Sequence, residues 1–277
     1  MKTCELASGY HIPVIGLGTW TLEGQRCLDA VSMALDMGYT HIDTATAYKN
    51  EEVIGKAIVR SGIERKNLFL TTKVWMKNLG HAQVLDSCSA SLERLQTEYL
   101  DLVLVHWPDK SRPMTETFAA FASLVANGHI RSIGVSNYTI RHCREATTAS
   151  PVPLSINQVE FHPYLFQHDL LDYCRGAGMV LTAYSPLGRG KVLCDPVVTQ
   201  IAAYHACSPA QVVISFLAGK GIVVIPKGSS REHLRENLAS LSCDLSAHEC
   251  AQIETLDRGE RIINPPWAEF DGNALPS

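Results

Sequence analysis

The chain has 277 residues, 46 % of them hydrophobic and 19 % charged, with a formal net charge of -4 and no basic block. A sizeable core can form, and nucleic acid is excluded as the expected partner. The start, MKTCELASGYHIPVIG, lacks a leader's apolar stretch, no run of about 18 apolar residues suggests a membrane span, and the nine scattered cysteines contain no C-x-x-C, so reduced thiols in a cytoplasmic protein are expected.

Residues 1–13 read as a small hairpin turning at Ser8-Gly9. A regular alternation follows. Strands are predicted over 14–18, 39–43, 68–73, 100–106, 130–136, 154–159, 180–184 and 222–225. Helices are predicted over 25–37, 51–61, 82–95, 115–126, 140–147, 168–175, 196–205, 209–218, 232–238 and 247–256, and 265–277 is an irregular tail. Leu28, Val31, Ala34 and Leu35 share one face of the first helix, and Val84, Leu85, Cys88, Leu92 and Leu95 one face of the third. Asn50 stands where the N-cap of the second helix belongs, ahead of Glu51 and Glu52. No linker interrupts the series, so one domain spanning 1–277 is expected. Alternation implies a parallel α/β sheet, and eight units at this length fit a (β/α)8 barrel with an N-terminal hairpin and extra C-terminal helices. Gly16-Leu-Gly18 lacks the third glycine of a dinucleotide fingerprint, which argues against a doubly wound sheet.

The ends of these strands carry polar side chains. Asp43, Lys73, His106, Ser136-Asn137, Gln158, Tyr184-Ser185 and Lys227 close strands two to eight, and Tyr48 lies on the loop after Asp43. In a barrel all these ends meet at one mouth. Singly, each has a structural alternative: Asp43 as a helix-entry carboxylate, Lys73 reaching to solvent, His106 as a satisfied core histidine, Tyr48 as a loop tyrosine. Together at one mouth they suggest proton delivery to a carbonyl oxygen. A tyrosine, with a reference pKa of about 10, needs help to act as an acid. A lysine beside it stabilises the phenolate, an aspartate pairs the lysine, and a neutral histidine holds the oxygen. No nucleophile is present, so a hydride donor would supply the electrons.

The segments GLGTW, HIDTATAYKNEEVIG, TTKVW, LDLVLVHWP, IGVSNY, INQVEFHPY, TAYSPLG, and VIPKG with SSREHLREN resemble the aldo-keto reductases along essentially the whole chain. The subgroup is that of short bacterial 2,5-diketo-D-gluconate and methylglyoxal reductases. The resemblance implies an NADPH-dependent reduction of aldehydes and ketones by a monomer, with Asp43, Tyr48, Lys73 and His106 as the catalytic tetrad. It also implies that Ser136, Asn137 and Gln158 hold the nicotinamide carboxamide and that Tyr184 stacks on its ring. Ser185, Leu187 and Gly188 would follow the pyrophosphate, and Thr19 and Trp20 the nicotinamide ribose. Lys227, Gly228, Ser229, Ser230 and His233 would meet the 2′-phosphate, Glu236 and Asn237 the adenine. Trp20, Tyr48, Trp75, His106 and Trp107 would line the substrate pocket, and Trp267 and Phe270 either cover the mouth or pack on the barrel. Family members strict for NADPH carry arginine where this chain has His233 and a serine-like donor where it has Gly228, so use of NAD is open. Two other readings remain: a Schiff-base lyase using Lys73, which borohydride trapping would reveal, and a cofactor-sensing regulatory subunit, which turnover of a carbonyl substrate would exclude.

Overall fold

A computed structural model of the protein describes residues 2–270; Met1 and positions 271–277 of the predicted tail lie outside them. Eight parallel strands follow one another in chain order: β3 (Leu17–Gly18), β4 (His41–Asp43), β5 (Phe69–Val74), β6 (Leu100–Val105), β7 (Ile130–Ser136), β8 (Leu154–Glu160), β9 (Val180–Tyr184) and β10 (Val223–Val224). The sheet closes on itself. Ile15 bridges Val224 in parallel, Gly16 N–H donates to the Val224 carbonyl, and Gly18 N–H to that of Pro226. The expected (β/α)8 barrel is therefore present. Its first strand is shorter than predicted, because residues 14–16 pair with β10 through single bridges rather than a regular ladder.

The two glycines flanking Leu17 serve this closure. A Cβ on Gly18 would stand 2.5 Å from the Ile225 carbonyl oxygen, and one on Gly16 would stand 2.4 Å from the His41 ring. Any side chain at Gly18 would push β3 off β10 and open the seam.

Strand period decides what enters the barrel. Side chains two apart share a face. Phe69, Thr71 and Lys73 thus form one inward row, as do Leu102, Leu104 and His106, or Ile156, Gln158 and Glu160. The apolar members of these rows pack with Val223 and with Leu6 and Ile12, from the segment formed by β1 (Thr3–Glu5) and β2 (His11–Pro13). The hairpin plugs the amino end of the barrel. Each buried Leu, Ile or Phe there contributes about 1.5–3 kcal/mol, and the ionisable ends of these rows, Lys73, His106 and Glu160, stand at the opposite end.

The opposite parity faces the helices. Leu70, Val74, Val103, Val105 and Val159 pack against α1 (Gly24–Asp36), α2 (Glu51–Ser61), α3 (His81–Leu95), α4 (Met114–Ala126), α5 (Ile140–Ala149), α6 (His168–Gly176), α7 (Pro196–Tyr204) and α8 (Pro209–Gly219). In α1 and α3 the predicted faces hold, except that Leu28, Leu85 and Leu92 are only partly buried while Cys27 and Ala30 are fully so. α9 (Arg231–Ala239) and α10 (Ala247–Glu254) complete the chain of helices. Among the described residues no single helix is long and apolar enough to cross a membrane; α7 and α8 together pass on composition but bend by 93°.

Candidate active site

β4 and the loop after it supply the first two groups. Asp43 is the last residue of its strand and points inward with His41 beneath it. A 3-10 turn over Thr46–Tyr48 then brings Tyr48 back over the mouth, and Lys49 in a left-handed conformation (φ 56°) ends it. Asn50 is at the N-cap position of α2, but its side chain caps nothing. It accepts from Thr44 Oγ1 at 2.6 Å and donates to the carbonyls of Thr19 and Leu22, both at 3.0 Å. The predicted cap is thus a tie between the loops after the first two barrel strands. A carboxamide with both a donor and an acceptor can make that three-way link, and the helix start gives it up in exchange. Thr46 Oγ1 fastens the turn further by donating to the Lys73 carbonyl at 2.9 Å.

Lys73 is fully buried at the end of the β5 row. Its ammonium donates to Asp43 Oδ1 at 2.5 Å, to the Thr44 carbonyl at 2.9 Å and to Tyr48 Oη at 3.4 Å. All three of its protons are placed. The other carboxylate oxygen of Asp43 accepts from Gln158 Nε2 at 2.7 Å. Tyr48 and His106 meet edge to face with ring centroids 5.5 Å apart, and Trp75 meets His106 at 5.3 Å. The four residues, separated by up to 63 positions in sequence, form one contiguous group.

Burial sets their protonation. It pushes Lys73 below the ordinary lysine value, and the Asp43 carboxylate pulls it part of the way back. Burial, followed by the Lys73 charge, drives His106 well below the usual imidazole range, so the ring is neutral. Tyr48 differs from the expectation drawn from sequence. Burial, with the Asp43 charge behind it, raises its phenol well above 10, and the single long contact to Lys73 does not reverse this. In this state Lys73 orients Tyr48 more than it acidifies it, and the phenol keeps its proton across the physiological range.

The residues expected at the nicotinamide form a second network joined to the first. Ser136 Oγ donates to the Gln158 carbonyl at 2.8 Å, and Asn137 Nδ2 donates to the His106 carbonyl at 3.0 Å. Tyr184 Oη donates to Asn137 Oδ1 at 2.8 Å. Asn137 and Ser185 hold left-handed backbones (φ 63° and 49°), a conformation asparagine tolerates better than most residues. Leu187 and Gly188 start the 3-10 segment Gly188–Cys194, whose Arg189 guanidinium lies 4.9 Å over the exposed Trp20 ring. Thr19 is buried and donates to the Asp43 carbonyl at 2.8 Å. Trp107 is buried beside His106 and meets Phe270 at 6.0 Å, whereas Trp267 is exposed.

At the far edge Lys227 is exposed and donates to Thr21 Oγ1 at 3.0 Å, and Gly228 is held bare by the Leu234 side chain, 2.7 Å from where a Cβ would be. Ser230 caps α9 by accepting from the N–H of His233, whose own side chain is exposed. Glu236 is half-buried, and Asn237 is on the buried face of α9, hydrogen-bonded to Tyr39.

Three groups escaped the sequence reading. Arg26 of α1 donates to Ser229 Oγ at 3.2 Å, a contact between residues 203 apart that no local pattern announces. Glu51, predicted to be a helix-start carboxylate, is buried and accepts from Thr72 Oγ1 at 2.6 Å and from Arg94 Nε at 2.8 Å. Glu160 is wholly buried and accepts from His162 Nε2, Ile262 N–H and Ile263 N–H at 3.0, 2.7 and 2.7 Å. Burial alone would raise its pKa; those hydrogen bonds outweigh burial and leave it below the ordinary value. β8 runs to Glu160, one residue past the predicted end, so the rule that found Gln158 would have found Glu160 as well.

The pattern described as the Aldo/keto reductase family matches residues 14–258. Glyoxal reductase of Bacillus subtilis (strain 168) is 41% identical over 94% of this chain and 94% of its own length. Methylglyoxal reductase DkgB of Yersinia pestis is 39% identical over 92% of this chain and 96% of its own. A crystal structure assigned to 2,5-diketo-D-gluconic acid reductase B superposes with a TM-score of 0.95 at 38% identity, covering 99% of this chain and 98% of that one. With the barrel, the order of its strands and the similarity along nearly all of its length, the chain belongs to the aldo/keto reductase family.

Proposed function

We propose that the protein reduces small aldehydes and ketones, α-oxoaldehydes of the methylglyoxal and glyoxal type and keto-sugar acids among them, with Tyr48 as the general acid. One observation carries this reading: a buried lysine fixed by Asp43 and the Thr44 carbonyl directs its remaining N–H at the Tyr48 hydroxyl, beside a neutral His106. Tyr48 therefore presents its own proton outward. His106 Nδ1 is buried and makes no hydrogen bond among the described residues, so no protein partner there fixes which ring nitrogen carries the hydrogen offered to a carbonyl oxygen.

The donor set suits a reduced nicotinamide nucleotide. Gln158, Ser136 and Asn137 offer amide and hydroxyl groups matched to a carboxamide, and Tyr184 offers a ring at the mouth. Lys227, Ser229, Ser230 and Arg26 gather donors where a phosphate would sit, next to the N-terminus of α9. When bound, this cofactor supplies the hydride. The chain does the rest: His106 positions the carbonyl oxygen, Tyr48 gives it a proton as negative charge builds, and Lys73 stabilises the phenolate left behind. Trp20, Trp75 and Trp107 limit the pocket to small substrates.

Tyr48→Phe removes the proton and keeps the ring. Turnover of methylglyoxal should fall by about 10²–10⁴-fold, while NADPH still quenches tryptophan fluorescence with its original affinity. Near-normal turnover in that variant rules out Tyr48 as the acid. NADP(H) is favoured over NAD(H) by the cations at the far edge, and His233 tempers the preference, because an imidazole lacks the two-pronged fork with which a guanidinium grips phosphate. His233→Arg should raise the NADPH-over-NADH ratio of kcat/KM by about tenfold, on the scale of a single charge-assisted hydrogen bond. An unmoved ratio would place His233 away from the phosphate.

A further inference from the structure

All nine cysteines are free. Cys27, Cys88, Cys143 and Cys174 are buried in the core, Cys4 and Cys250 are half-buried, and Cys194 is exposed. Two are different. Cys207, in the turn between α7 and α8, and Cys243, just past the 3-10 turn Ser240–Ser242 that follows α9, have their sulfurs 3.3 Å apart across 36 residues of sequence. That is inside the ordinary contact distance of two sulfurs, and a shift of little more than an ångström would bring them to bonding distance.

Both backbones are held in place. Cys207 N–H donates to the Ala202 carbonyl at 3.0 Å, and Cys243 N–H to that of Ser240 at 3.1 Å. Ser215 Oγ on α8 donates to the Cys243 carbonyl at 2.5 Å. The pair is therefore a fixed feature of the fold. The two thiols also differ in access: Cys207 is half-buried and Cys243 buried. Burial first, then the neighbouring Cys207, Glu249 and Asp244, push the Cys243 thiol up to about 12, so it persists as a thiol near neutrality.

We propose that Cys207 and Cys243 are an oxidisable dithiol, closed to a disulfide by hydroperoxides, with Cys207 oxidised first and Cys243 resolving it. The Cys207 thiolate attacks one oxygen of hydrogen peroxide; the O–O bond breaks and the departing hydroxide takes a proton to become water. Cys243 then attacks the sulfur of the resulting sulfenic acid. The S–O bond breaks, the S–S bond forms, and the Cys243 proton leaves with the hydroxide as a second water. Two thiols lose two electrons and two protons, and one peroxide becomes two waters. The closed loop encloses β10, Lys227 to Ser230 and all of α9, hence every residue assigned above to the phosphate and adenine end of the cofactor except Arg26. This chemistry stands whether or not the reductase reading does.

The experiment is peptide mapping of the full-length protein treated with hydrogen peroxide, quenched with acid and alkylated. The expected product is a single cross-linked peptide pair joining Cys207 to Cys243, lost on reduction with dithiothreitol, together with a rise in Tm of about 5 °C from loop closure that reverses on reduction. In Cys243→Ser, shown folded by its circular dichroism, Cys207 should instead accumulate as a sulfenic acid trapped by dimedone. Recovery of Cys207 in the wild type unmodified or as sulfinic acid, without the cross-link, would overturn the proposal. So would a cross-link between any other pair.

Discussion

At the amino end of the barrel Asp101 receives two arginines and a backbone N–H. Arg65 Nη2 donates to Oδ2 at 2.6 Å, Leu70 N–H to the same oxygen at 2.9 Å, and Arg131 Nη1 to Oδ1 at 2.9 Å. The two guanidiniums also clasp the Tyr99 ring from 4.0 and 3.8 Å. At the carboxyl end Asp43 is equally buried but receives one lysine and one amide. The first network ends in planar forks aimed at fixed acceptors, Arg65 reaching Thr97, Leu68, Tyr99 and Asp101 and Arg131 reaching Asp101, with the buried Tyr99 hydroxyl left without a partner among the described residues. The second ends in a phenol and an imidazole with capacity left over. A barrel places stability at one end and chemistry at the other, and here the difference is in what partners each buried carboxylate: two guanidiniums and a backbone N–H for Asp101, an ammonium and an amide that lead on to a phenol and an imidazole for Asp43.

The largest effect expected from breaking this contrast is at Lys73. Lys73→Met should lower kcat by about 10³-fold or more, and should destabilise by about 3 kcal/mol because Asp43 is left buried without its cation. The double variant Asp43→Asn, Lys73→Met removes both charges. Its urea midpoint should return most of the way to wild type while turnover stays at the floor. If turnover recovers with stability, the ion pair is scaffolding and the chemistry lies elsewhere.

Asp101→Asn addresses the other end. Two guanidiniums lose their anion, and since both are partly exposed the cost should be about 2–3 kcal/mol, at the lower end for a broken pair. Activity per folded molecule should stay within about twofold. A fall in kcat comparable to that of Lys73→Met would erase the division between the two ends.

Much of this arrangement was readable from sequence because it is periodic. Alternation of strand and helix gave the barrel, and the convergence of its strand ends brought Asp43, Lys73, His106 and Gln158 to one mouth. What escaped was set by packing. Asn50 abandons its helix cap for three bonds across two loops, and Arg26 finds Ser229 only after the barrel closes. The rise in the Tyr48 pKa was missed for a related reason. Composition shows which charges are near, but the burial that outweighs them belongs to the folded mouth.

His41 lies one inward step below Asp43 and links the two ends of the comparison. Its Nδ1 lies 3.3 Å from the Pro13 carbonyl, which can only accept, so Nδ1 carries the hydrogen and Nε2 accepts from Thr71 Oγ1 at 3.2 Å. Burial holds its pKa down, to about 4, against a small opposite pull from Asp43. The unfolded chain takes up a proton at about pH 6.5 and the folded one resists until about 4, so stability falls as pH drops through that window. At pH 5 the loss from this residue should be about 2 kcal/mol relative to pH 8. Urea unfolding of the wild type and of His41→Gln at both pH values isolates it: the wild type should lose more than the variant by that amount. Equal losses would mean that His41 is solvated or charged in the fold, and that the polar layer extends deeper than Asp43.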